Sequence, residues 1–310
     1  MSTHPSHAGR RRVSLPTAAA ATVVLTAIAL GVAAVRVQAK PTAAASAESS
    51  AATARLVTVT AKDYAFIAAD TLLAGRTELR LVNEGAELHH AQLIHLAEGK
   101  RLSDLMQAMQ AGGPPPKWAH ELGGPNAPAP GQSSAVIVDL EPGTYVFLCF
   151  IPSPDGKPHI MKGMMKEFTV VAAPASAATP ATPAAFATST RPEPSVTMTL
   201  HDYGFKLSAP LARGSQVVRV RNEAVQPHEV LVVRLAPGKS AHDFAAWAEK
   251  PAGPPPAVPL GGTVGMAQGV SNDVVLDLEP GEYALICFIP DAKDGKPHIA
   301  HGMVQQITVK

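Results

Sequence analysis

In the first half of this 310-residue chain, nine residues separate Cys149 from His159, and four more separate His159 from Met164. In the second half, ten residues separate Cys287 from His298, and four separate His298 from Met303. A further histidine lies about 60 residues upstream of each cysteine, His89 after Asn83 and His228 after Asn222, each expected to start an apolar strand. One thiolate, two imidazoles and a thioether make a donor set suited to copper moving between its two oxidation states. Soft sulfur favours Cu(I), imidazole holds both states, and a long axial methionine tunes the potential. The candidate metal ligands are therefore His89, Cys149, His159 and Met164, and His228, Cys287, His298 and Met303, with one copper in each half.

The matched spacings belong to a longer repeat. Asp63-Tyr64-Ala65-Phe66 returns as Asp202-Tyr203-Gly204-Phe205, Leu140-Glu141-Pro142-Gly143 as Leu278-Glu279-Pro280-Gly281, and Gly156-Lys157-Pro158-His159-Ile160 as Gly295-Lys296-Pro297-His298-Ile299. Two copies are too few for a solenoid, so the expected organisation is a tandem pair, residues 56–171 and 195–310, each of ordinary domain size. Residues 40–55 are rich in Ala, Ser and Thr, and 172–194 in Ala, Pro and Thr; such compositions read as tethers too poor in large apolar side chains to pack.

Within each unit, short β-branched or aromatic runs bounded by Gly, Pro and Asn predict strands over Thr77–Asn83, Ala135–Leu140 and Thr144–Phe150. Their counterparts are Val217–Asn222, Asp273–Leu278 and Glu282–Phe288. Val136, Val138 and Leu140, like Val274, Leu276 and Leu278, alternate with the two-residue period of a half-buried strand. Leu102, Leu105, Met106 and Met109 recur at helical spacing and predict one helix over Ser103–Ala111, repeated at Ala241–Glu249. The expected fold is all-β: two tandem Greek-key sandwiches, each with a short helical insertion.

With ligands in this order, the chain resembles the cupredoxin family of blue type 1 copper proteins. Asn222 followed by Pro227-His228 is similar to the family's Asn-then-Pro-His signature. His159-Ile160-Met161-Lys162-Gly163-Met164 and His298-Ile299-Ala300-His301-Gly302-Met303 resemble its His-x-x-x-Gly-Met ending. The resemblance implies cupredoxin-like sandwiches, a mononuclear type 1 copper in each, and one-electron transfer. The loops from Cys to His are longer than in plastocyanin or azurin and close in length to that of the type 1 domain of copper nitrite reductases. Multicopper oxidases and nitrite reductases also need His-x-His pairs and a histidine directly before the type 1 cysteine. Here Leu148 and Ile286 precede the cysteines and neither unit has a His-x-His. Nor does a nucleophile or zincin motif occur, so the sequence-based expectation is that the chain is not an enzyme.

Arg10, Arg11 and Arg12, an apolar run from Thr17 to Val35, and Val37-Gln38-Ala39 mark residues 1–39 as an export signal cleaved after Ala39, or as an uncleaved membrane anchor. Arg11-Arg12-Val13-Ser14-Leu15 loosely matches a twin-arginine signal. The folded part is expected outside the cytoplasm, in the periplasm or its equivalent. A net charge of +1 with no extended basic surface argues against nucleic acid; the expected partner is a redox protein, or a copper donor or acceptor. Two cysteines in an exported chain commonly form a disulfide, but these hold the same position in two repeats, on strands apolar on both faces. Copper storage, delivery or resistance stays open, as does a metal-free structural or interaction module with inert buried thiols. His90, His95, His120, His201, His242 and His301 are read as structural or exposed. Trp118 and Trp247 are read as packing residues, and Met161 and Met165 flank Met164 without counterparts around Met303.

Overall fold

A computed structural model describes residues 51–112, 115–174, 187–250 and 252–310. The expected signal or anchor, 1–39, lies outside the described residues. The first half contains β1 (Ala51–Lys62), β2 (Ala65–Ile67), β3 (Thr71–Leu73), β4 (Gly75–Asn83), β5 (Gln92–Leu96), α1 (Leu102–Ala111), β6 (Ala119–Glu121), β7 (Ser133–Leu140), β8 (Gly143–Leu148) and β9 (Met165–Val171). The second contains β10 (Thr188–Pro192), β11 (Val196–His201), β12 (Gly204–Leu207), β13 (Gly214–Asn222), β14 (His228–Leu235), α2 (Ala241–Glu249), β15 (Ala257–Met266), β16 (Ser271–Leu278), β17 (Gly281–Ile286) and β18 (Val304–Val309).

The architecture is all-β and sandwich-like, as the alternating patterns require. One sheet, ordered β10-β1-β4-β7-β16-β13-β11-β12 with β2 beside β1, runs through both halves; β3-β9-β8-β5-β6 and β15-β14-β17-β18 are the facing sheets. In the first half Val59, Leu79, Leu81, Val136 and Val138 bury themselves against Leu93, Phe147 and Phe168; in the second, Val218, Val220, Val274 and Leu276 do so against Val230, Val232 and Leu285. Fully burying such side chains contributes about 1.5–3 kcal/mol each. The Glu-Pro-Gly turns are tied by tyrosines: Tyr145 Oη donates to Glu141 O at 2.9 Å and Tyr283 Oη to Glu279 O at 2.7 Å.

Two expectations change here. First, β7 is not half-buried, because Ala135 and Ile137 on its other face are buried as well. Along its edge β7 pairs antiparallel with β16 of the second half through Ala135↔Val275, Val136↔Val274 and Ile137↔Asp273. Beside this seam, Leu122, Pro125 and Pro128 bridge to Met266, Thr263 and Leu260. The halves come so close here that a Cβ on Gly123 would lie 2.6 Å from Thr263 Oγ1, and one on Gly261 2.3 Å from Ser134 Cβ. The largest apolar cluster draws on both halves, and a smaller one lies under the helix of each half. Arg76 of β4 and Arg219 of β13 meet at buried Asp273, at 2.9 and 2.8 Å.

Second, the segments read as tethers are paired at their ends. Ala51–Arg55 lies antiparallel to Thr188–Pro192. Large apolar side chains are not needed there, since Ala54 and Ser189 are small and buried while a polar network does the anchoring. Glu78 of β4, fully buried, accepts hydrogen bonds from Arg80 at 2.7 Å, from Arg191 at 2.9 and 3.0 Å, and from Ser189. Burial opposes its charge, but these donors outweigh it and hold its pKa down to about 2.

Candidate metal centre

Each site is assembled from a loop after one strand and a turn after another. Asn83 ends β4 and staples the loop that carries His89: its Nδ2 donates to Glu87 O at 2.9 Å and its Oδ1 accepts from Gly85 N at 3.0 Å. Asn222 repeats this toward Gln226 O and Ala224 N, both at 3.0 Å. The two upstream histidines then diverge. His228 starts β14, but His89 lies three residues before β5 and does not start a strand. Cys149 and Cys287 fall one residue past β8 and β17, which end earlier than the expected strands. Both are free and fully buried.

After each cysteine the chain loops out and returns through a short 3-10 turn, His159–Lys162 or His298–His301. Gly163 and Gly302 close these turns at φ of 98° and 90°, a left-handed conformation that favours glycine. The closure returns Met164 and Met303 to the site. Met164 N–H donates to His159 O at 3.0 Å and Cys149 N–H to Met164 O at 3.3 Å; the second half repeats both contacts at 3.0 and 3.2 Å. Both methionines are fully buried.

The convergence of donors is close. One ligand atom each from His89, Cys149 and His159, and likewise from His228, Cys287 and His298, lie within 4.8 Å of one another. Cys149 Sγ is 3.4 Å from His159 Nδ1, which is 3.0 Å from His89 Nδ1. Cys287 Sγ is 3.3 Å from His298 Nδ1 and 3.9 Å from His228 Nδ1. Donors about 2.0–2.3 Å from a shared ion at angles of roughly 95–120° would stand roughly 3–4 Å apart, so both sets fit a single small cation.

The other imidazole nitrogens point at carboxylates. His89 Nε2 faces Asp63 at 2.5 Å and His159 Nε2 faces Glu87 at 2.9 Å; His228 Nε2 faces Asp202 at 2.9 Å. Asp291 stands 3.6 Å from His298 Nε2. A carboxylate only accepts, which keeps the proton on Nε2 of His89, His159 and His228 and leaves their Nδ1 as a lone pair turned inward; His298 Nε2, buried, has no hydrogen-bond partner among the described residues. Lone pairs 3.0 Å apart repel, and a cation between them relieves that. The repeated Asp-Tyr motif supplies this outer ring. Its aspartate holds the upstream histidine, and its tyrosine, Tyr64 or Tyr203, donates at 2.6 Å to Glu87 or Asp291, the carboxylate facing the downstream one.

Burial lowers the pKa of His89 and His228, and takes His298 down to about 4, so these rings are neutral donors near neutral pH. Burial also pushes the Cys149 thiol up to about 12 and raises Cys287, while backbone amides of His90 and Ile151, and of Glu229 and Ile289, point at the sulfurs. A metal ion would have to displace the thiol proton.

His90 and Glu229, which follow the upstream histidines, are bonded into the site. His90 Nε2 accepts from Phe150 N at 2.9 Å, and Glu229 Oε1 accepts from Phe288 N at 2.8 Å, each the residue after the cysteine. His95 stacks on Tyr145 at 4.5 Å. Asp291, Asp294 and His301 form a further, partly exposed group on the second ligand loop.

No family model matches the chain, and no curated protein matches it. Among solved structures it is similar to dithionite-reduced auracyanin from the photosynthetic bacterium Roseiflexus castenholzii, at 21% identity over 38% of this chain and 98% of that one, TM-score 0.28. It is similar to the blue copper oxidase from Nitrosomonas europaea, at 15% identity over 83% and 85%, TM-score 0.24. It is also similar to the copper-containing nitrite reductase from Thermus scotoductus SA-01, at 10% identity over 82% and 61%, TM-score 0.22. All are cupredoxin-fold proteins, and two are enzymes, so the expectation that this chain is not an enzyme is withdrawn. The fold is shared by carriers and catalysts, and missing histidine motifs do not separate them.

Proposed function

We propose that this is an exported copper protein with one mononuclear type 1 centre per half, His89, Cys149, His159 and Met164 in residues 56–171 and His228, Cys287, His298 and Met303 in 195–310, and that each centre passes single electrons. The observation that carries this reading is the inward convergence of one sulfur and two Nδ1 atoms, twice, with Nε2 of His89, His159 and His228 held outward on carboxylates. Bound copper would supply the one-electron couple. The protein's part is to hold neutral imidazoles, exclude water from a buried thiolate and keep the donors rigid. A redox protein would be the partner.

Adding Cu(II) to the metal-free chain should give two copper per chain and a thiolate-to-copper band at roughly 600 nm. Cys149→Ser should remove one site and leave the other. Absence of the band, or loss of both sites together, refutes the reading. Met161, 70% exposed on the first ligand loop, supports a second reading, handover of Cu(I) to an acceptor protein. Rapid transfer of Cu(I) that Met161→Leu slows would favour it. Among the described residues no helix is long and apolar enough to cross a membrane; export is inferred from residues 1–39.

A further inference from the structure

The first half holds a cleft of about 190 Å³ between α1, β5 and β6. Buried Ile94 and Leu105 line it with Ala108, and so do Met109 and Phe150, 38% and 36% exposed. Glu121 of β6 brings a carboxylate into this apolar setting.

The repeat tells what stands at each position in the second half. Both helices open on the same cap, Asp104 accepting from Arg101 N at 2.9 Å and Asp243 from Ser240 N at 2.7 Å, so Leu105, Ala108 and Met109 correspond to Phe244, Trp247 and Ala248. Strand pairing supplies the rest. Ile94, opposite Val146, pairs with Glu121; Val233, opposite Ala284, pairs with Pro259. Phe150 and Phe288 each follow a cysteine. The second half thus has larger rings where the first has Leu105 and Ala108, and no carboxylate at the place of Glu121. The Phe244 ring stands 5.7 Å from Trp247 and 6.3 Å from Phe288, an aromatic cluster packed under α2.

An apolar cavity of roughly 150 Å³ takes up benzene, so this cleft has room for one aromatic ring with a short arm. The carboxylate says what the arm carries. Glu121 is partly buried; burial raises its pKa, and no hydrogen bond or nearby charge offsets that among the described residues. A carboxylate drawn out of water calls for a paired cation, and an ammonium beside it would make a charge-assisted hydrogen bond. Phe150 and the Met109 thioether are suited to contact a ring.

We propose that this cleft binds a small arylalkylamine, its ring taking the space that Phe244 and Trp247 occupy in the other half and its ammonium resting on Glu121. The site belongs to the first half alone and needs no metal at either centre.

Calorimetric titration of the full chain with phenethylamine, and with its uncharged analogue 2-phenylethanol, tests this. The amine should bind once per chain and more tightly than the alcohol. Glu121→Gln should weaken the amine at least about tenfold and leave the alcohol within about twofold. Ala108→Trp, which copies the second-half side chain into the cleft, should abolish binding of both compounds while the chain unfolds at the same or a higher temperature. No binding of the amine, equal affinity for the two compounds, an affinity for the amine unchanged by Glu121→Gln, or undiminished binding to folded Ala108→Trp overturns the proposal. If Ala108→Trp does not fold, the contrast between amine and alcohol in Glu121→Gln decides it.

Discussion

Glu78→Gln removes the charge from a carboxylate that joins β4 to β10 while leaving its size nearly unchanged. Arg80, Arg191 and Ser189 hold the group ionised, with a folded pKa of about 2 against an ordinary 4.5. A carboxylate whose pKa falls on folding stabilises the native state above its unfolded value, and loses that contribution as pH drops through its folded value. The gap between the two values corresponds to about 3 kcal/mol at pH 7. By pH 3 about 1 kcal/mol remains. Urea unfolding followed by circular dichroism at both pH values should show the variant less stable by these amounts, the deficit shrinking as acid is added. A loss that is the same at pH 3 and pH 7, or below about 1 kcal/mol at pH 7, would refute the claim that this network anchors β10.

Asp63→Asn and Tyr64→Phe should weaken copper binding in the first half by about 10–100-fold, as loss of an outer partner does. Competition against a chelator would measure this, with the second half unaffected. In the metal-free chain, Cys149 should alkylate far more slowly than a free thiol at pH 8, and faster as pH rises toward about 12; reaction at free-thiol rates would show that the sulfur is not buried. Gly163→Ala should cost about 1–2 kcal/mol at its φ of 98°, read by thermal unfolding. A neutral effect would mean that the turn does not require glycine.

The chemistry-bearing residues were legible because the repeat marks them twice. A lone histidine carries little signal, but His89 and His228 stand at equal offsets from Asn83 and Asn222 and about 60 residues before a cysteine, and the structure brings each toward its sulfur. The outer ring was visible and unread: Asp63-Tyr64 and Asp202-Tyr203 stood out as a repeat, yet nothing in a dipeptide tells which distant imidazole it meets. Asp291 was harder still, since it does the work of Glu87 from a different loop. The paired tether ends escaped because composition registers large apolar side chains, whereas β10 is held by Glu78 and Arg191. The seam escaped because alternation along β7 describes a single sheet face. Leu122-Gly123-Gly124 and its copy Leu260-Gly261-Gly262 were the available signal for close backbone approach.

The register of that seam has a meaning of its own. With equivalent residues 138 apart along this stretch, Val136 meets its own counterpart, Val274, and Ala135 and Ile137 exchange partners across them. Leu122 and Pro128 likewise swap bridges around Pro125 and Thr263. This is the isologous geometry by which identical subunits associate about a twofold axis, here written into one polypeptide. Two identical subunits would have to carry the same side chain at the place of His90 and Glu229. Covalent fusion lifts that constraint, leaving each half free to specialise while the contact between them stays symmetric.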